Sequence, residues 1–124
     1  MSSNTDIVTS LIKAICANKK ADILAHFNDD AVFHNIPLAI AQGHEAIWEA
    51  LAPIHDIAED VAWQVYHSAE TPEGIVLNER IDRYRLKGQW IEFKVMGIFE
   101  IKNGKIQHWR DYFDLQQAMS QFPS

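Results

Sequence analysis

Apolar residues recur along this chain at two spacings, first that of helices and later that of strands. Near the start they fall three or four residues apart, as on one face of a helix. These residues are Ile7, Val8, Leu11, Ile12 and Ile15. From residue 61 onward, apolar and polar residues alternate over long runs, as in strands with one buried face. The pattern therefore predicts helices first and a run of antiparallel strands afterwards.

Capping and turn residues divide the first half into short elements. Ser3 and Asp6 form a weak capping box before the first apolar stripe. The further elements predicted for this half are a helix over 20–27, a strand over 31–35 ended by Pro37, and a helix from Gly43 that stops at Pro53.

The second half predicts four strands and a final helical turn. The predicted elements are strands over 61–67, 75–84, 90–101 and 106–115, with turns at 71–74, 87–88 and 102–105 and a helical turn after Asp114. We therefore expect an α+β fold in one domain over 1–124, with helices covering one face of a curved sheet. Curvature of that sheet would leave a pocket between its concave face and the helices.

Composition narrows the class of protein. The chain has 124 residues, of which 48% are apolar and 23% charged, which is ordinary for a globular domain. Its net charge of -6 argues against nucleic acid and anionic membranes as partners. The single cysteine, Cys16, excludes an internal disulfide, and no export signal or membrane span is visible. We expect a soluble, cytoplasmic protein.

Three charged residues on the predicted strands suggest chemistry. Arg80 and Asp82 project from the same face of one strand, and Asp111 shares a face of another with Trp109 and Phe113. The pattern alone does not decide which face is inward, but if the apolar face of each strand lines the pocket, Asp111 lies inside it between two aromatic residues. A carboxylate among aromatics needs a partner, and a guanidinium can bond two carboxylates at once. The alternative is that the three residues form solvated surface ion pairs, and the pattern alone weighs the two about evenly.

The segments Asn78-Glu-Arg-Ile-Asp82 and Gly104-Lys-Ile-Gln-His-Trp-Arg-Asp-Tyr-Phe-Asp114, with the Gly97-Ile-Phe-Glu segment between them, resemble the limonene-1,2-epoxide hydrolases. The resemblance is strongest over 76–115. It implies the cone-shaped fold of the nuclear transport factor two-like proteins, with a mixed, mainly antiparallel sheet packed by N-terminal helices around an internal pocket.

The same resemblance implies a set of catalytic residues. Arg80 and Asp82 match the family's Arg-x-Asp pair, and Asp111 matches its second aspartate. Asn35 matches the asparagine of an early Tyr-x-Asn pair that holds the water, but Phe33 replaces the tyrosine. Asp82 would then be the general acid, Asp111 the general base, Arg80 the bridge between them, and Asn35 a water ligand. The hydroxyl group of a different tyrosine would have to supply the missing hydrogen bond, the candidates being Tyr66, Tyr84 and Tyr112.

Apolar residues on the inward faces would bind a small hydrophobic epoxide. The expected substrate-binding residues are Phe33, Phe93, Val95, Trp109 and Phe113. No cofactor is implied, and the six histidines are too scattered for a metal motif. Members of this fold usually pair through the outer face of the sheet, so a homodimer through Trp90, Ile98 and Tyr112 is expected.

Two other functions stay open at this point. The first is an isomerase or cyclase of the same superfold, acting on a ketone-bearing hydrophobic substrate with Asp82 or Asp111 as the base. The second is a non-catalytic protein that binds a small molecule, in which the ion network only shapes the pocket. The natural substrate and its stereochemistry do not follow from the residues.

Overall fold

The computed structural model describes residues 3–122, which form helices at both ends of a long run of strands. The elements are α1 (Asn4–Ala17), α2 (Lys20–Leu24), β1 (Phe27–Asn35), β2 (Ile40–Gln42), α3 (Gly43–His55), β3 (Asp60–Glu70), β4 (Val76–Leu86), β5 (Gln89–Lys102), β6 (Lys105–Phe113) and α4 (Leu115–Met119).

All six of these strands join in one sheet, in the order β2-β1-β6-β5-β4-β3. The strands β3, β4, β5 and β6 pair antiparallel in sequence, as hairpin connections require. The strand β1 returns to lie parallel to β6. This arrangement confirms the predicted α+β class with a mixed, mainly antiparallel sheet.

The helices cover one face of the sheet. The helix α1 begins with the predicted capping box, in which Ser3 Oγ accepts from the Asp6 amide at 3.0 Å. It packs on β3, and α3 packs on β1. The fully buried side chains of Leu11, Ile23 and Ile47 join the three helices to the same core. None of the helices formed by residues 3–122 is long and apolar enough to cross a membrane.

The first half of the chain departs from the predicted boundaries. The second helix ends at Leu24, and Phe27 is instead the fully buried first residue of β1. Strand β1 therefore starts four residues before the predicted 31–35, and it includes the polar segment 28–30. Its pairing with β6 shifts register between Phe27 and Val32, so the turn-favouring residues sit at a bulge rather than in a loop.

Two further elements differ from prediction in this region. The short edge strand β2 pairs with β1 just before α3 and was not predicted, although its first two residues end the apolar run 38–41. Pro53 does not stop α3, which continues to His55. The proline lies in the last turn, and the next amides still bond, with Asp56 N donating to Ala52 O at 2.8 Å.

The long strands are close to prediction, and they settle which face is inward. β4, β5 and β6 begin and end within two residues of the predicted positions, whereas β3 continues to Glu70 through exposed residues paired with β4. Along β4, alternate residues from Val76 to Leu86 are buried. Arg80, Asp82 and Tyr84 therefore share the inner face.

Candidate active site

A cavity of about 260 Å³ lies between the inner face of the sheet and the helices α3 and α4. This volume is near the lower end for small-molecule pockets and suits a compact ligand. Most of its wall is apolar, and the polar side chains on it are few. They are Asn35, Asp82, Asp111, Tyr84 and the indole of Trp63.

Arg80 holds both predicted carboxylates together. Its Nε and Nη2 atoms donate to the two oxygens of Asp82 at 2.8 and 3.1 Å. Nη2 also donates to Oδ2 of Asp111. All three residues are less than 5% exposed, which excludes the alternative of solvated surface ion pairs.

Two neighbouring groups complete this network. Nη1 of Arg80 donates to Asn78 Oδ1 at 3.0 Å, and Trp109 Nε1 donates to Asp111 Oδ1 at 2.6 Å. Asn78 is 2% exposed and was not predicted as a site residue. Its place two residues before Arg80, on the same strand face, is the pattern that indicates it.

Gly97 provides the space in which this network forms. It stands between Asn78 on β4 and Asp111 on β6 in the strand register. A Cβ atom at this position would overlap Arg80 Nη1 and come within 2.9 Å of both Asn78 Oδ1 and Asp111 Oδ1. Only glycine leaves the guanidinium room to pass across the inner face.

Aromatic rings surround the buried guanidinium. Its central carbon lies 4.7 Å from the ring centre of Trp63, 5.7 Å from that of Trp109 and 5.8 Å from that of Phe99. Such cation–π contacts partly compensate the lost hydration of the charge. Burial alone would lower the pKa of Arg80, but Asp111 and Asp82 outweigh it and raise the pKa, so the cation is permanent.

Burial also changes how readily the two carboxyl groups ionise. It raises the pKa of Asp82 to about 7; Arg80 lowers that pKa, and Asp111 raises it further. Burial raises the pKa of Asp111 as well, opposed by Arg80 and by the Trp109 N–H. Because two adjacent buried carboxylates resist double ionisation, the pair gives up its last proton only as the pH rises through about 7. Chemically, such a pair offers one acid and one base in the same cavity.

Asn35 and Phe33 occupy neighbouring places on β1. Asn35 is the register partner of Asp111, and Phe33 is that of Trp109, on whose ring it stacks at 4.3 Å between centres. Both Asn35 and Phe33 line the cavity, so the amide lies on the same wall as the Asp111 carboxylate.

Four of the five expected substrate-binding residues line the cavity: Phe33, Phe93, Val95 and Phe113. Trp109 does not. It is fully buried behind the wall, stacked against Phe33 and Phe99, and it supplies a hydrogen bond to Asp111. Alternation predicted its inward direction correctly, but the cavity does not reach that far along β6.

Of the three tyrosines considered as sources of a hydroxyl group, only Tyr84 lines this cavity. Tyr66 and Tyr112 are exposed on the outer face of the sheet. The Tyr84 hydroxyl is buried and contacts His55 Nε2 at 3.2 Å. His55 was missed as a site neighbour, since nothing in the local pattern of α3 shows that its last turn meets β4. Among residues 3–122, no group of three or more His, Cys, Asp or Glu side chains is arranged to hold a metal ion.

Comparisons with known proteins show which family model and which relatives the chain matches. The family model for the limonene-1,2-epoxide hydrolase catalytic domain matches residues 2–124. Epoxide hydrolase EphG of Mycobacterium tuberculosis is 30% identical over 92 residues, which cover 73% of this chain and 60% of that protein. The chain thus spans less than two thirds of the relative's length.

Two solved structures show the same fold at low identity. An LEH-like epoxide hydrolase of M. tuberculosis superposes with a TM-score of 0.81 at 23% identity, over 95% of this chain and 87% of that one. An NTF2-like protein of unknown function from Burkholderia pseudomallei gives a TM-score of 0.85 at 16% identity, over the full length of both chains. These likenesses confirm the predicted cone-type fold.

Proposed function

The chain belongs to the limonene-1,2-epoxide hydrolase family, and on that premise we propose that it adds water directly to a small, largely apolar epoxide to give a vicinal diol. The observation that carries the proposal is the buried Asp82–Arg80–Asp111 bridge at the wall of the cavity. Its activity would be independent of a cofactor, and the whole chain would act as one domain.

The proposed reaction divides acid and base between the two carboxyl groups. Asp111 removes a proton from water, and the water oxygen forms a bond to an epoxide carbon while the carbon–oxygen bond breaks. Protonated Asp82 gives its proton to the departing oxygen. The raised pKa of Asp82, to about 7, supports the acid role, because much of the group still carries its proton near neutral pH. The diol leaves Asp111 protonated and Asp82 ionised, so one proton exchange restores the pair.

Neighbouring residues support these roles. Arg80 fixes the distance between the two carboxyl groups and stays charged throughout. Asn35 would orient the water beside Asp111, its register partner. The apolar side chains of Phe93, Val95 and Phe113 would bind the substrate and exclude bulk water, which would weaken the acid–base pair.

The test is diol formation from limonene oxide and cyclohexene oxide by the wild type, Asp82→Asn and Asp111→Asn. We expect wild-type turnover, and a loss of about 10²–10⁴-fold in each variant. Asp29→Asn is the matched control, because the Asp29 side chain is fully exposed. No diol from any of a broad panel of epoxides, with the fold intact, would contradict the proposal. Turnover of a ketosteroid instead would favour the isomerase alternative.

We also propose that two copies pair through the outer face of the sheet. Trp90 and Tyr112 are large and more than 40% exposed there, whereas Ile98 is half-buried. Met96 is the register partner of Tyr112 and is also exposed, so it extends the apolar surface.

A further inference from the structure

The beginning of strand β5 extends beyond the end of its neighbour β6. Strand β5 starts at Gln89, whereas its pairing with β6 stops at Val95, opposite Phe113. Among the described strands, residues 89–94 therefore pair with β4 alone. The backbone N–H and C=O groups on the other side of this stretch need different partners, because unpaired backbone groups are costly once water is excluded.

The side chain of Gln121 binds to this stretch of β5. Its Oε1 accepts from the Glu92 amide at 2.9 Å, and its Nε2 donates to the Glu92 carbonyl oxygen at 2.7 Å. The carboxamide thus pairs with both backbone groups of one residue, as a neighbouring strand does in an antiparallel ladder. The same Nε2 also donates to the carbonyl oxygen of Gln117 in α4 at 3.3 Å, which connects β5 to the helix.

The position of α4 depends on attachments at both of its ends. At the start, Asp114 Oδ1 accepts from the Gln117 amide at 3.0 Å and caps the helix directly after β6. At the far end, Gln121 makes the two hydrogen bonds to β5. A helix of five residues is too short to be stable by itself, so these contacts fix where residues 115–122, here called the α4 segment, lie.

The α4 segment forms one wall of the cavity. Leu115, Met119 and Phe122 line it, and all three side chains are apolar. The Phe122 ring packs edge to face on that of Phe93, with centres 6.2 Å apart. Phe93 is the register partner of Asp82, so this wall lies one aromatic ring away from the proposed acid.

We propose that Gln121 is a positioning residue that limits the size of the substrate. By binding the backbone of Glu92, it holds the α4 segment against β5 and closes the cavity on that side. Because the side chains of this wall are apolar, the part of the epoxide that lies beneath them is hydrocarbon. The inference rests on the proposed epoxide hydrolysis and adds a limit on the bulk of the hydrocarbon group that the epoxide carries.

Size selectivity distinguishes this role from a contribution to stability alone. A residue that only stabilises the fold changes the amount of folded protein, and its loss lowers the turnover of every epoxide by the same factor. A residue that positions a wall affects small and bulky substrates differently, since one methylene group in an apolar pocket changes kcat/KM by about 10–200-fold. The ratio of kcat/KM for two epoxides of different bulk is therefore the quantity to measure.

The kinetic test compares cyclohexene oxide with the same ring carrying a tert-butyl group opposite the epoxide. Gln121→Met keeps the length of the side chain and removes both hydrogen bonds to Glu92. We expect it to raise KM for cyclohexene oxide and to shift the ratio of the two kcat/KM values toward the bulky epoxide by about tenfold. Met119→Ala opens the same wall without changing those hydrogen bonds and should shift the ratio in the same direction. Gln116→Met is the matched control, because Gln116 lies in α4 with its side chain exposed.

Thiol labelling tests the same wall without any hydrolysis. Val95 lines the cavity and is 5% exposed, so Val95→Cys places a thiol inside it. Cys16→Ala removes the natural thiol from the same protein. The reagents are N-methylmaleimide and N-cyclohexylmaleimide, which share one reactive group and differ in bulk. We expect the larger reagent to react severalfold more slowly than the smaller, and Gln121→Met to remove most of this difference.

The two measurements separate this inference from the hydrolase proposal. If no epoxide is hydrolysed but Gln121→Met admits the larger maleimide, the positioning role stands and the hydrolase proposal fails. If epoxides are hydrolysed and Gln121→Met leaves the kcat/KM ratio of the wild type unchanged, the positioning role is overturned and the hydrolase proposal remains. A shift of the same size in Gln116→Met would also overturn the positioning role.

Discussion

Gly97 and Arg80 use the same space on the inner face of the sheet. The guanidinium lies where the side chain of any other residue at position 97 would begin. From that place it donates to Asp82 on its own strand and to Asp111 on the strand beyond β5. The acid–base pair therefore depends on a residue that has no functional group of its own.

Gly97→Ala should strongly reduce the activity of the enzyme, because position 97 lies against Arg80. The added methyl group overlaps Arg80 Nη1 and must displace the guanidinium from Asp111. We expect diol formation to fall by about 10²-fold or more and unfolding to become easier by roughly 1–3 kcal/mol, as for other overpacked cores. Steady-state kinetics and thermal unfolding measure the two effects. Met96→Ala, whose side chain is on the outer face, is the control, and similar losses in both variants would refute the argument.

The rate of hydrolysis should decline as the pH rises through about 7. Burial raises the pKa of Asp82 to about 7, and the acid form that protonates the epoxide oxygen is lost above that pH. We expect kcat to fall toward tenfold per pH unit on the alkaline side. The apparent value belongs to the pair of carboxyl groups, because their protons are shared. A profile that stays flat up to pH 9 would mean that Asp82 is not the acid.

His55 and Asp82 should make the free energy of unfolding depend on pH in opposite directions. Burial lowers the pKa of His55 from 6.5 to about 4. Its contribution to the free energy of unfolding is therefore complete above pH 6.5 and is lost as the pH falls toward 4. This contribution is about 3 kcal/mol as an order of magnitude. For Asp82 the folded pKa is raised, so its contribution is complete below about 3.8 and is lost as the pH rises toward 7.

Urea unfolding between pH 4 and 7 tests these two pH dependences of the free energy of unfolding. His55→Gln should reduce the loss of stability on the acid side, and Asp82→Asn should reduce the loss as the pH rises. His67→Gln is the control, since the His67 side chain is largely exposed. The same pH dependence in wild type and in both site variants would contradict the assignment.

Phe33→Tyr should increase the rate. Phe33 lines the cavity two residues before Asn35, on the same strand face. A hydroxyl group there would give the attacking water a second hydrogen bond, which is worth about tenfold in kcat. Phe113→Tyr adds the same group elsewhere on the wall and serves as the comparison. An unchanged or lower rate in folded Phe33→Tyr would show that the water is held in another way.

The outer face of the sheet should carry the dimer. Sedimentation of the wild type is expected to show a species of twice the chain mass. Tyr112→Arg should convert it to the monomer, because the exposed Tyr112 lies beside the exposed Met96 at the centre of that face. Glu73→Arg, which places an arginine in the turn before β4 rather than on the face of the sheet, is the control. A wild type that sediments as a monomer at all concentrations would reject the pairing.

Much of this site was predictable because strand alternation carries information about direction. Period-two patterning alone showed that Arg80 shares a strand face with Asp82, and Asp111 with Trp109 and Phe113, whereas the structure decided that these faces are inward. The same rule failed to separate Phe113, which reaches the cavity, from Trp109, which is buried behind it. Whether an inward residue reaches the cavity depends on the curvature of the sheet, which the alternation of residues does not indicate.

Other features depended on contacts between distant parts of the chain. His55 reaches Tyr84 because the last turn of α3 packs over β4, and Pro53 had suggested that this turn would not exist. The start of β1 was missed because Phe27 fits a helix face and a strand equally well. The role of Gly97 became visible only with the guanidinium in place.

Arg80 also restricts the register in which the strands of the sheet can pair. Asn78, Gly97 and Asp111 form one row across β4, β5 and β6, and a slip of β5 by one residue would bring Met96 or Ile98 into the middle of that row. Either side chain would collide with the guanidinium and separate it from Asp111. A misaligned hairpin would thus leave a buried cation facing a hydrocarbon, so the charge that serves the site also penalises wrong strand pairing while the protein folds.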